Sequence, residues 1–416
     1  MNMREMKDSG IEWAGVIPNT WNINKGKYFM ELLTRPTLET DEVITCFRDG
    51  EVTLRSKRRE EGFTVSLTEA GYQGIEIGDL VVHGMDGFAG SIGISDSRGK
   101  ATPVLNVLDT EQNKRYMMYL MRTMAYCELF LSLATGIRVR TCDTNWKKLR
   151  EIDYILPTIP EQKAIADFLD NECDELNTLI SDIQSQIEAL EEYKRSVITE
   201  AVTKGIDPDV EMRDSGVQWI GMMPTHWDCQ RGKYILRYVQ KPVRDDDGVI
   251  TCFRDGEVTL RSNRREEGFT MADKEIGYQG IDVGDLVVHG MDGFAGAIGI
   301  SDSRGKASPV LNVLETKQNK RYIMYYLRSM AYNDVFVALA TGIRVRSCDL
   351  RWNKLAELLY PMPTIEEQQA IVEHIDSVLE RTNAIISDKK QQVETIEEYK
   401  KSLIFEYVTG KKEVQA

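Results

Sequence analysis

The sequence predicts an α+β chain: two tandem copies of a mixed α/β domain, each followed by a long helix, the two helices forming an antiparallel coiled coil with pseudo-two-fold symmetry. Three observations predict it. The first is an internal repeat: SGIEWAGVIPNTW (9–21) recurs as SGVQWIGMMPTHW (215–227), and the same shift of 206 carries Cys46 to Cys252, His83 to His289, Trp146 to Trp352 and Tyr193 to Tyr399 without a gap. Across 44–107 and 250–313, 54 of 64 positions are identical, so a whole domain has been duplicated rather than a short solenoid unit. The second is an uninterrupted helical pattern after each globular part. The third is the shortness of the connector between the copies.

In each copy the globular part comes first. Short β-rich runs such as DEVITCF (41–47) and GDLVVHG (78–84) alternate with glycine turns. A helical stretch is expected at 113–134, and ATGIRVR (134–140) leaves it through a glycine. After LPTIPEQ (156–162) the pattern becomes one long helix, with no glycine or proline over 164–204. Leu176, Ile180, Ile183, Ile187, Leu190, Val197 and Ala201 fall on alternating four- and three-residue steps, with Lys194 taking one position of the seam. The second copy places Ile375, Val378, Ile386, Val393, Ile396, Leu403 and Tyr407 likewise, with Thr382 and Lys389 interrupting. Such spacing over several heptads is that of a coiled coil. A helix of about 42 residues spans roughly 63 Å, whereas the connector 205–217 stretches at most about 45 Å. The chain cannot return to the start of a parallel partner, so the helices are expected to run antiparallel, with the heads held apart. The expected domains are 1–160 and 206–366 for the heads, and 161–205 and 367–416 for the helices with a C-terminal tail.

The net charge of −14 argues at first against a nucleic-acid partner. The two long helical regions, 161–205 and 366–412, carry ten of those charges, so the heads are nearly neutral and local basic clusters decide. Seven cysteines without a CxxC pair speak against a disulfide framework or a zinc site. No apolar run is long enough to cross a bilayer and the N-terminus has no signal-peptide pattern, so the expected setting is cytoplasmic, away from membrane.

At this point the chain resembles the specificity subunit of type I restriction-modification systems. The resemblance covers nearly its whole length. It rests on the openings at 9–21 and 215–227, the TGIRVR segments at 135–140 and 341–346, and the junctions LPTIPEQKAIADFLD (156–170) and MPTIEEQQAIVEHID (362–376), in that order and twice over. One departure is Pro160, which is Glu366 in the second junction. The resemblance implies two target recognition domains, each reading half of an interrupted site in double-stranded DNA, and a helical spacer. It also implies two partner methyltransferase subunits that use S-adenosylmethionine, joined by translocating restriction subunits. No catalysis and no cofactor are expected in this chain itself. In keeping with that, the sequence lacks a GxxxxGK[ST] phosphate loop and an [ND]PP[YF] tetrapeptide.

For DNA contact the densest basic cluster is CFRDGEVTLRSKRREEGFT (46–64), with Arg48, Arg55, Lys57, Arg58 and Arg59. Its copy holds Arg254, Arg261, Arg264 and Arg265, with Asn263 in place of the lysine. Arginine can pair bidentately with guanine or grip phosphate; the opposing reading is a solvated loop neutralised by Glu51, Glu60 and Glu61. Arg138, Arg140, Arg344 and Arg346 in the TGIRVR segments either approach phosphates or pair with acids where head meets helix, and the sequence leaves both open. Arg98, Lys100, Arg304 and Lys306 in the DSRGK loops are candidate phosphate contacts. Gln73 and Gln279, in GYQG, could read adenine but are expected in β-turns. His83 and His289, near Asp86 and Asp292, are expected to be structural, and the glycines at 84, 87, 90 and 93 to make turns rather than a nucleotide loop. The methionines of 117–124 are expected in the core. Rival readings are a coiled-coil protein scaffold and a free-standing DNA-binding repressor.

Overall fold

A computed structural model of the chain describes residues 4–58, 69–132, 144–264, 276–339 and 350–414. The chain divides into two compact units, one made of 1–183 with 391–416 and the other of 184–390. Each unit thus holds one head and parts of both long helices.

In the first unit a four-stranded antiparallel sheet has the order Met30–Leu32, Leu105–Thr110, Leu80–His83, Ile92–Ile94. Its central strand is apolar at consecutive positions because both faces are covered. Leu80 and Val82 face the helix Lys114–Tyr126, with Tyr116, Met117, Leu120 and Met124. Val81 faces the opposite way, against Ile44, Cys46 and Val52 of a hairpin and Ile75 of a separate strand pair. Asn113 starts the helix by accepting the amides of Arg115 and Tyr116, both at 3.0 Å. The expected single helix over 113–134 is interrupted: Lys114–Tyr126 gives way to Leu129–Ser132. Glu128 lies between them in the left-handed region, at φ 58°, which no α-helix accommodates.

The first long helix is Ile159–Lys204 and the second Ile365–Val408. Both start at equivalent residues, so exchanging Pro160 for Glu366 does not move the boundary; a proline in the first turn gives up an amide that has no helical partner there. Gly205 and Gly410, at φ 79° and 70°, close the two ends.

Within the first unit, Phe168 stacks on Tyr407 with ring centroids 4.4 Å apart, and Lys400 donates to the Asn177 side-chain Oδ1 at 2.8 Å. Numbering rises along one helix as it falls along the other, so the two run antiparallel. Inside the second unit Lys389 reaches Gln186 at 2.5 Å, and Val197 shares a pocket lining with His374, again in opposite directions. Ile180, Ile183, Ala201, Ile375, Val378, Thr382, Ile386 and Leu403 are buried; Leu176, Ile187, Leu190, Val197, Val393 and Ile396 are half-buried. Thr382 fits its buried place by donating its hydroxyl to the Val378 carbonyl at 2.8 Å.

Each head grips the end of a long helix. Tyr116, fully buried, donates to the carbonyls of Ile155 (3.0 Å) and Val408 (3.1 Å). Tyr322 does the same in the second unit with Pro361 (2.9 Å) and Val202 (3.2 Å). The PEQ and EEQ junction motifs owe their glutamine to this region. Gln162, with no exposed surface, accepts the Asn113 amide at 2.9 Å and donates to the Gln112 side chain and the Pro157 carbonyl; Gln368 repeats the pattern.

Candidate nucleic-acid interface

The basic cluster begins on a hairpin. Strands Ile44–Cys46 and Val52–Leu54 pair antiparallel, and the turn between them needs Gly50 at φ 87°. Arg58 lies over the Phe47 ring at 4.2 Å and pairs with Asp49 (2.7 Å) and Glu51 (2.9 Å), the Asp49 carboxylate holding its guanidinium above the ordinary arginine value. Arg48, two-thirds exposed, reaches Asp86 at 2.9 Å. Lys57 pairs with Asp96 at 3.1 Å and donates to the Ser97 hydroxyl at 2.8 Å. Arg55 donates to the Thr45 hydroxyl at 3.2 Å and is further engaged.

The second unit repeats this arrangement. Arg254 reaches Asp292 at 2.9 Å, and Arg264 covers Phe253 at 4.2 Å while pairing with Asp255 (2.7 Å) and Glu257 (3.0 Å). Arg261 donates to Thr251 at 3.2 Å and is further engaged. Asn263 departs from Lys57: it turns back to the Thr259 hydroxyl at 2.8 Å.

The edge strand Ile92–Ile94, which follows the loop after the central strand, packs against this hairpin. The Gly93 Cα lies so close to the Gly50 carbonyl that an added Cβ would sit 1.9 Å from its oxygen. His83 organises the loop, its Nδ1 accepting the amides of Met85 (3.2 Å) and Asp86 (3.0 Å); His289 holds Met291 and Asp292 in the same way. The histidines are therefore structural, and the glycines that follow form a short turn, Gly87–Ala89, before the next strand. The Thr144 amide, the first described after TGIRVR, donates to the Gly84 carbonyl at 2.8 Å, as the Leu350 amide does to Gly290 at 2.9 Å. The hairpin, the His83 loop and Thr144 are thus brought together in the first head, as are their counterparts, with Leu350, in the second.

Burial holds the His83 and His289 imidazoles below the ordinary histidine value, despite the opposing pull of Asp86 and Asp292 and with slight help from Arg48 and Arg254. The unfolded chain therefore binds the proton more readily, and the neutral ring's contribution is fully present above about pH 6.5 and is lost as pH falls through the lower folded value. NMR titration is expected to give both rings midpoints below 6.5. The amides of Met85, Asp86, Met291 and Asp292 should lose hydrogen-exchange protection as the rings protonate.

Several residues expected at the interface are placed elsewhere. Arg98 is the hub of a carboxylate cluster, bonded to Asp41 at 3.1 Å and to Glu76, and Arg304 binds Asp247 at 2.8 Å and Asp282 at 2.5 Å. The side chains of Asp41 and Asp247 are almost wholly buried, and buried carboxylates need a cation. These two arginines clamp buried carboxylates while 30% and 22% of their own side chains stay exposed. Lys241 and Arg304 together draw Asp282 down to about 2. Lys100, mostly buried, pairs with Glu69 at 2.6 Å, and Lys306 is likewise engaged. Gln73 and Gln279 are neither base readers nor turn residues: they lie buried in strands and donate to the carbonyls of Leu105 (2.8 Å) and Leu311 (2.6 Å). Arg59, Arg138, Arg140, Arg265, Arg344 and Arg346 lie outside the described residues. Sequence reasoning overlooked Arg122 and Arg328, which lie over the glycine turns and donate to the carbonyls of Ile92 (2.7 Å) and Ile298 (2.8 Å). Their sequence signal is an arginine two helical turns after Arg115 and Arg321, on the same helix face. Among the described residues no cluster of three or more His, Cys, Asp or Glu side chains could hold a metal ion.

Two heads built alike, each joined to antiparallel long helices, define a duplicated two-headed protein. No family profile matches the chain. Two curated relatives from Methanocaldococcus jannaschii do. The putative type I restriction enzyme MjaX specificity subunit is 23% identical over 321 residues, covering 74% of this chain and 71% of its own. The type I restriction enzyme MjaVIII specificity subunit is 26% identical over 322 residues, covering 72% of each. A chain from the structure described as "Structural basis underlying complex assembly and conformational transition of the type I R-M system" shares the fold. Its TM-score is 0.66 at 11% identity, over 95% of this chain and 99% of its own. The chain is a homologue of type I restriction specificity subunits.

Proposed function

We propose that this chain is the sequence-reading subunit of a type I restriction-modification complex in the cytoplasm, with each head reading one half of an interrupted palindrome. One observation carries the proposal: the two heads present the same exposed arginines with the same partners, Arg48–Asp86 and Arg254–Asp292 both at 2.9 Å, and Arg58 and Arg264 each stacked on a phenylalanine at 4.2 Å. Exposed pairs of this kind are worth only about 0–1 kcal/mol, so phosphates and guanine edges can displace the carboxylates. Like faces read like half-sequences, and the antiparallel helix pairing inside each unit supports an inverted order, as in symmetric dimers on palindromic operators.

Two methyltransferase subunits supply the chemistry with S-adenosylmethionine, and restriction subunits add cleavage. Equivalent exposed apolar side chains on the long helices, Leu179 and Tyr193 in the first and Ile385 and Tyr399 in the second, support two like docking faces.

Sequencing modified bases in a host that expresses this chain with its methyltransferase subunit tests the reading. The expected motif is a half-site, an unspecified spacer and the inverted half-site. Two unrelated half-sequences overturn the palindrome. A departure at one base is expected to trace to Lys57 against Asn263, or to 65–68 against 271–274.

A further inference from the structure

Resting on that DNA-reading function, we infer that Met85 and Met291 are the apolar base contacts of the two heads, each seated against the 5-methyl group of a thymine. Methionine is ordinarily a core residue, and Met117, Met118, Met121 and Met124 are all buried here. Met85 and Met291 are instead 53% and 58% exposed, at equivalent places in both units.

Their exposure is built in. The imidazole of His83 or His289 holds the amide of the methionine itself and that of the next residue. The preceding glycine donates its amide to Val104 or Val310 at 2.7 Å in each unit. In both glycines the Cα lies against the same carbonyl, at a distance that leaves no room for a Cβ. Because the backbone of the turn is already anchored, binding has only the methionine side chain left to order.

The surroundings fit a duplex. The residue after each methionine, Asp86 or Asp292, pairs with Arg48 or Arg254, whose side chains are 67% and 65% exposed. Each methionine is therefore followed directly by a carboxylate that holds an exposed cation able to meet phosphate or guanine. The thymine methyl is the one apolar group a base pair displays in the major groove, and apolar side chains read it there. Of the ten differences between 44–107 and 250–313, none falls in HGMDGFAG, so both heads are expected to place this contact at the same base of the half-site.

The test uses the full chain in complex with its methyltransferase subunits, on a duplex carrying the motif found by modification sequencing. Each thymine of the half-sites is replaced in turn by deoxyuridine, which lacks only the methyl, and affinity is followed by fluorescence anisotropy. At one position per half-site, wild type is expected to lose about fourfold, the equivalent of one buried methyl group. The variant Met85→Ala with Met291→Ala should bind thymine and deoxyuridine duplexes equally, and Met85→Leu with Met291→Leu should regain the discrimination. Wild type indifferent to every replacement, or an alanine variant as sensitive as wild type, overturns the inference. Failure of the wild-type complex to prefer its motif over random duplex overturns the DNA-reading function beneath it.

Discussion

Replacing Arg48, Arg58, Arg254 and Arg264 together with alanine is expected to lower affinity for the target duplex about a thousandfold, taking roughly 1 kcal/mol per lost contact as the low end for arginine on a base or phosphate. The fold should survive, because these side chains lie at the surface and their ion pairs add little to stability. The salt dependence tells the two kinds of contact apart. Each lost phosphate contact lowers the slope of log affinity against log salt by about 0.9, whereas a lost base contact leaves the slope and relaxes one position of the motif. Binding isotherms at several salt concentrations measure both. Unchanged affinity and slope would remove the hairpin turn from the interface.

A methyl group added at Gly93 or Gly299 is expected to destabilise its own head by about 3 kcal/mol, near the upper range for overpacking. The added Cβ would stand 1.9 Å from the Gly50 carbonyl oxygen in one unit and 2.0 Å from that of Gly256 in the other, with Val52 or Val258 at 2.8 Å. Both obstacles belong to the hairpin, and a backbone carbonyl cannot swing aside as a side-chain tip can. The hairpin must lift from the sheet, taking Arg48 and Arg58 with it. Gly78→Ala serves as the control: at φ 86° it is strained, yet nothing lies within 4 Å of its added Cβ, so its cost should stay near 1 kcal/mol. Thermal unfolding of Gly93→Ala should show one early transition, with the second unit melting as before. Equal melting of Gly93→Ala and Gly78→Ala would mean that the hairpin is not seated as described.

The repeat, the two long helices and their direction were legible in the sequence, because each follows from periodicity or connector length alone. Leu176, Ile180 and Ile183 show the reason: their four- and three-residue steps put them on one face whatever the heads do. The interface was legible only in outline. Arg48 and Arg98 look alike in sequence, each within two residues of an aspartate, yet Asp41, 57 residues from Arg98, claims one while the other stays mostly exposed. Gln73 was misread for the same reason, its acceptor Leu105 being 32 residues away. Gln162 and Tyr116 escaped notice because their roles consist of backbone groups they satisfy, and nothing in local composition marks a carbonyl as needing a donor. The break at Glu128 was hidden too, since a glutamate carries no cue for positive φ.

The two units differ in how they are assembled from the chain. Residues 184–390 are contiguous, whereas the first head is completed by 391–416, whose Leu403, Ile404 and Val408 join its buried cluster. As a nascent polypeptide leaves the ribosome, the head made second can therefore finish folding before the head made first, which waits for the last helical turns to emerge. A chaperone that shields apolar surface should dwell on the N-terminal head for most of translation.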